Sequence, residues 1–116
     1  MFLQLAHTKL DVYQLSRKMV LECYKLSNQI PEIERYGLIQ QIRRAATSVS
    51  LNIAEGSSRR SETERKRYYE IARGSVVEID SIMDLFSDLN YCNKEEMNPA
   101  GQLVIRCFQM LSAMIS

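Results

Sequence analysis

The chain is poor in the residues that break, cross-link or metallate a fold. Its 116 residues include four glycines and two prolines. No stretch shows sustained strand alternation between turn clusters, so helices are the elements to look for. The three cysteines, Cys23, Cys92 and Cys107, are odd in number and irregular in spacing. That excludes a disulfide scaffold and fits a reducing, cytoplasmic setting. One histidine and no C-x-x-C pair exclude the usual zinc sites. No apolar run approaches the ~18 residues of a membrane span. The opening Met1-Phe2-Leu3-Gln4-Leu5-Ala6-His7 lacks the basic and long apolar regions of a secretory signal. What remains is 46% hydrophobic and 25% charged, the balance of one soluble globular domain over residues 1–116 with no evident cofactor.

Charge is unevenly placed. Residues 1–75 hold 13 Lys/Arg against 8 Asp/Glu, a balance of +5, and residues 76–116 hold 2 against 6, a balance of −4. Such a chain can present a basic end to an anion or pair one copy's basic end with another's acidic end.

Hydrophobic spacing predicts an all-α chain of four helices, near residues 9–29, 35–55, 61–90 and 93–115. In the first, Thr8 is the expected N-cap with Asp11 three residues on, and Pro31 the stop. The second carries the stripe Leu38, Ile39, Ile42, Ala46, Val49 and Ile53 and stops at Gly56, a residue suited to a left-handed C-terminal position. Beside that stripe runs a small and polar one, Gln41, Ala45, Ser48, Asn52 and Glu55. Ser61-Glu62-Thr63-Glu64 reads as a capping box opening the third helix. Its expected core stripe is Tyr68, Ala72, Ser75, Ile79, Ile82, Phe86 and Leu89, widened by Val76 and Met83. For the fourth, either Asn93 and Glu96 cap a helix that kinks at Pro99, or Asn98 restarts it. From Leu103 to Ile115 ten of thirteen residues are apolar. A helix apolar nearly all round is buried on more than one side, which predicts contact between copies.

Catalytic constellations are nearly absent. There is no Walker loop, no G-x-S-x-G, no G-x-G-x-x-G and no paired E-x-x-H. His7 falls in a segment expected to be a disordered tail. Cys23 and Cys107 lie on apolar stripes and read as buried structural thiols, and Cys92 as a turn residue. Asp80, Asp84 and Asp88 line one side of the third helix, where a metal or small-molecule reading competes with a solvated face. The basic cluster says more. Arg59, Arg60, Arg65, Lys66 and Arg67 sit just before Tyr68-Tyr69, and Arg43-Arg44 add a pair on the second helix. Guanidinium forks match phosphate oxygens, and tyrosines stack on unpaired bases. The plainer reading is a salt-bridged helix face built from Glu62–Lys66, Lys66–Glu70 and Glu70–Arg73.

Several blocks resemble one family. They are Leu10-Asp11-Val12-Tyr13-Gln14, Glu34-Arg35-Tyr36-Gly37-Leu38, Gln41-Ile42-Arg43-Arg44-Ala45-Ala46, Ser48-Val49 with Asn52-Ile53-Ala54-Glu55-Gly56, and Ile71-Ala72-Arg73-Gly74-Ser75. Together they look like the bacterial four-helix-bundle proteins encoded in intervening sequences of 23S ribosomal RNA genes. Ser50 departs from the pattern, since many members have proline there. The resemblance implies an antiparallel, up-down-up-down bundle assembling into a pentameric ring. A related branch, the accessory proteins of diversity-generating retroelements, forms basic barrels that bind nucleic acid and a reverse transcriptase. Carried over, it makes Arg43, Arg44, Arg59, Arg60, Arg65, Lys66 and Arg67 the phosphate-facing candidates. Asn52, Glu55 and Gly56 form the structural motif, with Asn52 and Glu55 expected to bind Arg44 or Arg73 in a buried network that sets helix register. The expected function is a non-enzymatic homo-oligomer that binds RNA or DNA through its arginine-rich end. The alternative is a ring that recruits a protein partner without touching nucleic acid.

Overall fold

Four α-helices form where the apolar stripes place them in a computed structural model that describes residues 2–116. They are α1 (Asp11–Ser27), α2 (Leu38–Ser57), α3 (Glu62–Asp88) and α4 (Lys94–Ile115). Short 3-10 turns at Ala6–Lys9 and Glu32–Glu34 precede α1 and α2, and no strand occurs among the described residues.

The helix ends depart from expectation in instructive ways. Thr8 does not cap α1. Its hydroxyl donates to the Leu5 carbonyl at 2.8 Å inside the 3-10 turn, and Leu10 occupies the N-cap position without a side-chain bond. That turn also places His7 edge-on to Tyr13, with ring centroids 4.8 Å apart, rather than in a loose tail. α1 ends at Ser27, and Ile30 then drops into the core ahead of Pro31. α2 starts three residues later than expected because residues 32–34 wind as a 3-10 turn. There Glu34 accepts from the Leu38 N–H (3.3 Å) and from the Tyr91 hydroxyl (2.9 Å), tying the start of α2 to the α3–α4 turn.

Gly56 is not a left-handed cap. It lies inside α2 with negative φ, and a Cβ built there would stand 2.8 Å from Tyr68 Cβ and 3.0 Å from Tyr69 Cε1. Its missing side chain lets the first turns of α3 lie against α2. The left-handed residue is Asn90, with φ 59°. It closes α3 as a Schellman motif, in which the Tyr91 N–H donates to the Phe86 carbonyl (2.8 Å) and the Asn90 N–H to that of Ser87 (3.0 Å). The Phe86 and Tyr91 rings meet with centroids 6.5 Å apart, the apolar contact that accompanies this motif.

At the start of α3, Ser61 Oγ accepts from the Glu64 N–H at 3.0 Å. α4 opens on a complete capping box between Asn93 and Glu96. It runs through Pro99 without restarting at Asn98, because the carbonyl that loses its donor belongs to exposed Glu95.

Each helix touches two neighbours. α1 packs on α2 and α4, and α3 packs on α2 and α4, while neither diagonal pair meets. Between them lies one core, whose largest fully buried side chains include Phe86, Met19, Ile42, Ile53, Ile79 and Leu111. The α3 stripe is rotated from the expected one at both ends. Tyr69, 6% exposed, replaces Tyr68, and Leu89 points outward.

Hydroxyls join the helices across the seams. Ser16 meets Ser50 at 2.8 Å between α1 and α2. Ser75 donates to Ser48 at 3.0 Å between α3 and α2, and Asn52 donates to the same hydroxyl. The expected buried network of Asn52 and Glu55 with Arg44 or Arg73 does not form. Glu55 is exposed and pairs with Arg59 (3.4 Å), Arg44 is solvent-exposed, and Arg73 reaches Ser112 on α4 (3.2 Å). Serines set this register.

Candidate nucleic-acid interface

The seven nominated cations fall at two ends of α2. Arg43 and Arg44 lie in its second turn, and the 59–67 cluster follows its last residue. The thirteen helical steps from Arg44 to Ser57, the last residue of α2, put roughly 20 Å of axis between the pair and the cluster. They do not make one patch.

Four of the seven are engaged inside the protein. Arg43 donates from Nε to Ser27 Oγ (2.8 Å) and from Nη2 to Asn28 Oδ1 (2.9 Å), its guanidinium 4.9 Å from the Tyr24 ring centroid. It therefore binds the C-terminal turn of α1. Arg59 donates to the Tyr68 hydroxyl (3.0 Å) and lies over that ring at 5.0 Å. Arg65 holds the loop by donating to the Arg59 and Arg60 carbonyls at 3.1 and 2.7 Å. Lys66 pairs with Glu62 at 3.3 Å, the one pair of the expected salt-bridged face that forms. Arg44, Arg60 and Arg67 remain, exposed and without a protein partner among the described residues.

The tyrosines behind the cluster are not offered to bases either. Tyr69 is buried and Tyr68 is taken by Arg59. The most exposed tyrosine ring is that of Tyr36, 83% accessible. It belongs to a cleft of about 290 Å³ beside the start of α2, lined also by Tyr24, Arg35, Gln40, Arg43 and Arg44. Arg35 and Tyr36 had no role in the sequence reading as site residues. Their adjacency to the Arg43-Arg44 pair eight residues on is the signal that was present.

Elsewhere the chemistry is quiet. Asp80, Asp84 and Asp88 extend over about 12 Å of helix, and no group of three or more metal-ligating side chains forms among the described residues. All three aspartates are exposed on the outer side of α3, a solvated helix face. All three cysteines are free and buried, including Cys92, which sits in the expected turn but faces inward. Burial pushes the Cys23 thiol up to about 12 and the Cys107 thiol up to about 11, away from thiolate reactivity. Among the described residues no helix is long and apolar enough to cross a membrane.

Two apolar grooves are more conspicuous. One, between α1 and α2, has exposed Leu21 and Leu51 with Arg17 and Lys18 at its edge. The other, between α3 and α4, has exposed Val77, Ile105 and Phe108 with Asp80. Because α1 meets α2 and α4 but not α3, these grooves lie on opposite sides of the molecule. The expected surplus of apolar surface on α4 is thus real. Val104, Cys107 and Leu111 fill the core, while Ile105 and Phe108 remain outside it.

A family model described as 23S rRNA-intervening sequence protein matches residues 8–113. The chain belongs to this family. A solved structure of a protein of unknown function from the S23 ribosomal protein family of Bacteroides thetaiotaomicron is similar to it, with a TM-score of 0.83 and 20% identity over 90% of this chain and 98% of that one. At that identity the likeness speaks for the fold alone, four helices without strands. No curated protein matches. The family is one of unknown function, and no catalytic family is named for the chain.

Proposed function

We propose that this member of the 23S rRNA-intervening sequence family is a non-enzymatic homo-oligomer that binds RNA or DNA through exposed arginines. The observation that carries the reading is the division among its cations. Arg43, Arg59, Arg65 and Lys66 are held by the protein's own groups, whereas Arg44, Arg60 and Arg67 stand in solvent with no carboxylate partner. Guanidinium groups so placed are available to phosphate.

The grooves support an assembled state. Along α1 and α2, Ser16 meets Ser50 while Ser27 meets Arg43, and along α2 and α3, Ser48 meets Ser75 while Gly56 meets Tyr68; in both the numbering runs in opposite senses, which supports the antiparallel up-down-up-down bundle. A basic apolar groove on one side and an acidic one on the other suit a head-to-tail contact between copies, which generates a ring when the rotation closes. Five subunits are the number the family resemblance implies. A ring repeats the three arginines in every copy, and multivalency turns weak phosphate contacts into useful affinity. The same grooves favour a second reading, a protein-binding scaffold with no nucleic-acid contact.

Fluorescence-anisotropy titration with labelled RNA and DNA at about 50 and 200 mM salt tests the first reading. Binding should weaken with salt and vanish in the Arg44→Gln/Arg60→Gln/Arg67→Gln variant. Sedimentation of wild type and Leu51→Glu should show an oligomer and a smaller species. An intact oligomer that binds neither polymer overturns the first reading in favour of the scaffold, and a monomeric wild type overturns the ring.

A further inference from the structure

The cleft at the start of α2 has the composition of a site for one unpaired nucleotide. We infer that it is where a single strand of nucleic acid docks, with a base on Tyr36 and the adjoining phosphate on Arg35 and Arg44. This rests on the nucleic-acid reading above and assigns its principal contact to this end of the molecule rather than to the loop at 59–67.

Three features converge. Tyr36 is 83% exposed, with the Arg35 guanidinium over one face of its ring at 5.8 Å from the centroid and the rest of the ring in solvent. Aromatic faces of this kind stack on any base that is out of a duplex, and arginine beside them adds cation–π attraction. Arg43, next, is a fixed positive charge under the cleft. Its bonds to Ser27 and Asn28 and its stacking on Tyr24 keep it from swinging outward. A phosphate entering the cleft meets a preset potential without ordering that side chain, which lowers the cost of binding. Finally, no carboxylate lines the cleft. The carboxylate that pairs with Arg35 is Glu32, at 3.2 Å. Both side chains are well exposed, and such a surface pair yields readily to a phosphate.

Size selects the ligand's form. A cleft of about 290 Å³ lies at the lower edge of small-ligand pockets, room for one nucleotide unit and not for the width of a duplex. Paired bases also keep their faces stacked and cannot reach Tyr36. The loop end lacks this combination, since Arg60 and Arg67 have no free aromatic ring beside them.

The test uses full-length protein and fluorescein-labelled single-stranded oligouridylate and oligothymidylate of about 12 nucleotides, with a mixed-sequence duplex of equal length alongside. Tyr36→Leu and Arg35→Gln/Arg44→Gln should each weaken single-strand binding about tenfold or more, the range of one lost base stack. Arg60→Gln/Arg67→Gln should weaken it less than threefold, and the duplex should bind more weakly than either single strand. Tyr36, Arg35 and Arg44 are all exposed, so circular dichroism is expected to report unchanged folding. Full binding by the Tyr36 and Arg35/Arg44 variants, with loss in Arg60→Gln/Arg67→Gln, overturns the cleft and leaves nucleic-acid binding intact. No binding of any of the three probes by wild type overturns both.

Discussion

Replacing Gly56 with alanine tests the seam between α2 and α3, and the structure permits its cost to be worked out. Two terms oppose each other. Alanine in a helix is favoured over glycine by about 1 kcal/mol. Against this, the added methyl would stand 2.8 Å from Tyr68 Cβ, 3.0 Å from Tyr69 Cε1 and 3.2 Å from the Arg65 carbonyl. The first and last of these are anchored to backbone, so the clash is relieved by moving α3 away from α2 rather than by turning a side-chain tip. Overpacking of this kind costs about 1–3 kcal/mol, and it also loosens Tyr69, a buried contact at the loop end. The net expectation is a loss of up to about 2 kcal/mol, or a fall in Tm of up to about 8 °C. Urea and thermal unfolding at one fixed protomer concentration measure it, since association shifts apparent stability. Gly74→Ala on α3 is the control. Nothing lies within 4 Å of its built Cβ, so it should stabilise by about 0.4–1 kcal/mol. A left-handed cap would behave differently at residue 56, because asparagine tolerates that conformation better than alanine does. Gly56→Asn more stable than Gly56→Ala, or Gly56→Ala as benign as Gly74→Ala, refutes the close-approach reasoning.

The thiols give a pH dependence. Burial raises Cys23 from 9.0 to about 12 and Cys107 from 9.0 to about 11. The stabilisation from their neutral forms is therefore complete below about pH 9 and is lost as pH climbs toward the folded values, at about 1.4 kcal/mol per unit and per thiol. Urea midpoints should hold level from pH 7 to about 8.5 and fall above about 9, and Cys23→Ala/Cys107→Ala should flatten the alkaline fall. A wild-type midpoint that falls no more steeply than the variant's contradicts this. Arg43→Leu should cost about 1.5–3 kcal/mol through its bonds to Ser27 and Asn28, whereas exposed Arg44→Leu should change stability by less than about 0.5 kcal/mol. Equal effects on urea unfolding would show that Arg43 holds nothing together.

Much of the fold was legible because its signals are local. The α2 stripe from Ile42 to Ile53 is buried as spacing required, and Ser61 and Asn93 cap the helices they precede. Gly56 was misread because a glycine after an apolar stripe carries the same local signature whether it caps a helix or admits a neighbour. Tyr68 and Tyr69 were interchanged because either choice fits the 3.6-residue period within the width of one side chain. The site was harder to see. Arg59 and Arg65 look free in sequence, yet each has a partner five to nine residues away whose reach depends on how the loop turns.

The sequence by itself determined that this protein is helical, where its four apolar faces run and how two of its helices begin. These depend on periodicity and on side chains bonding to their own backbone. It also showed that α4 carries more apolar surface than one core can use. Tertiary structure alone decided which cations are exposed, which tyrosine is most exposed and that the two apolar grooves lie on opposite sides. Each of those is a relation between residues far apart in the chain, such as Arg43 with Ser27 or α1 with α4. Such relations are set when side chains from different helices compete for the same space and the same hydrogen bonds.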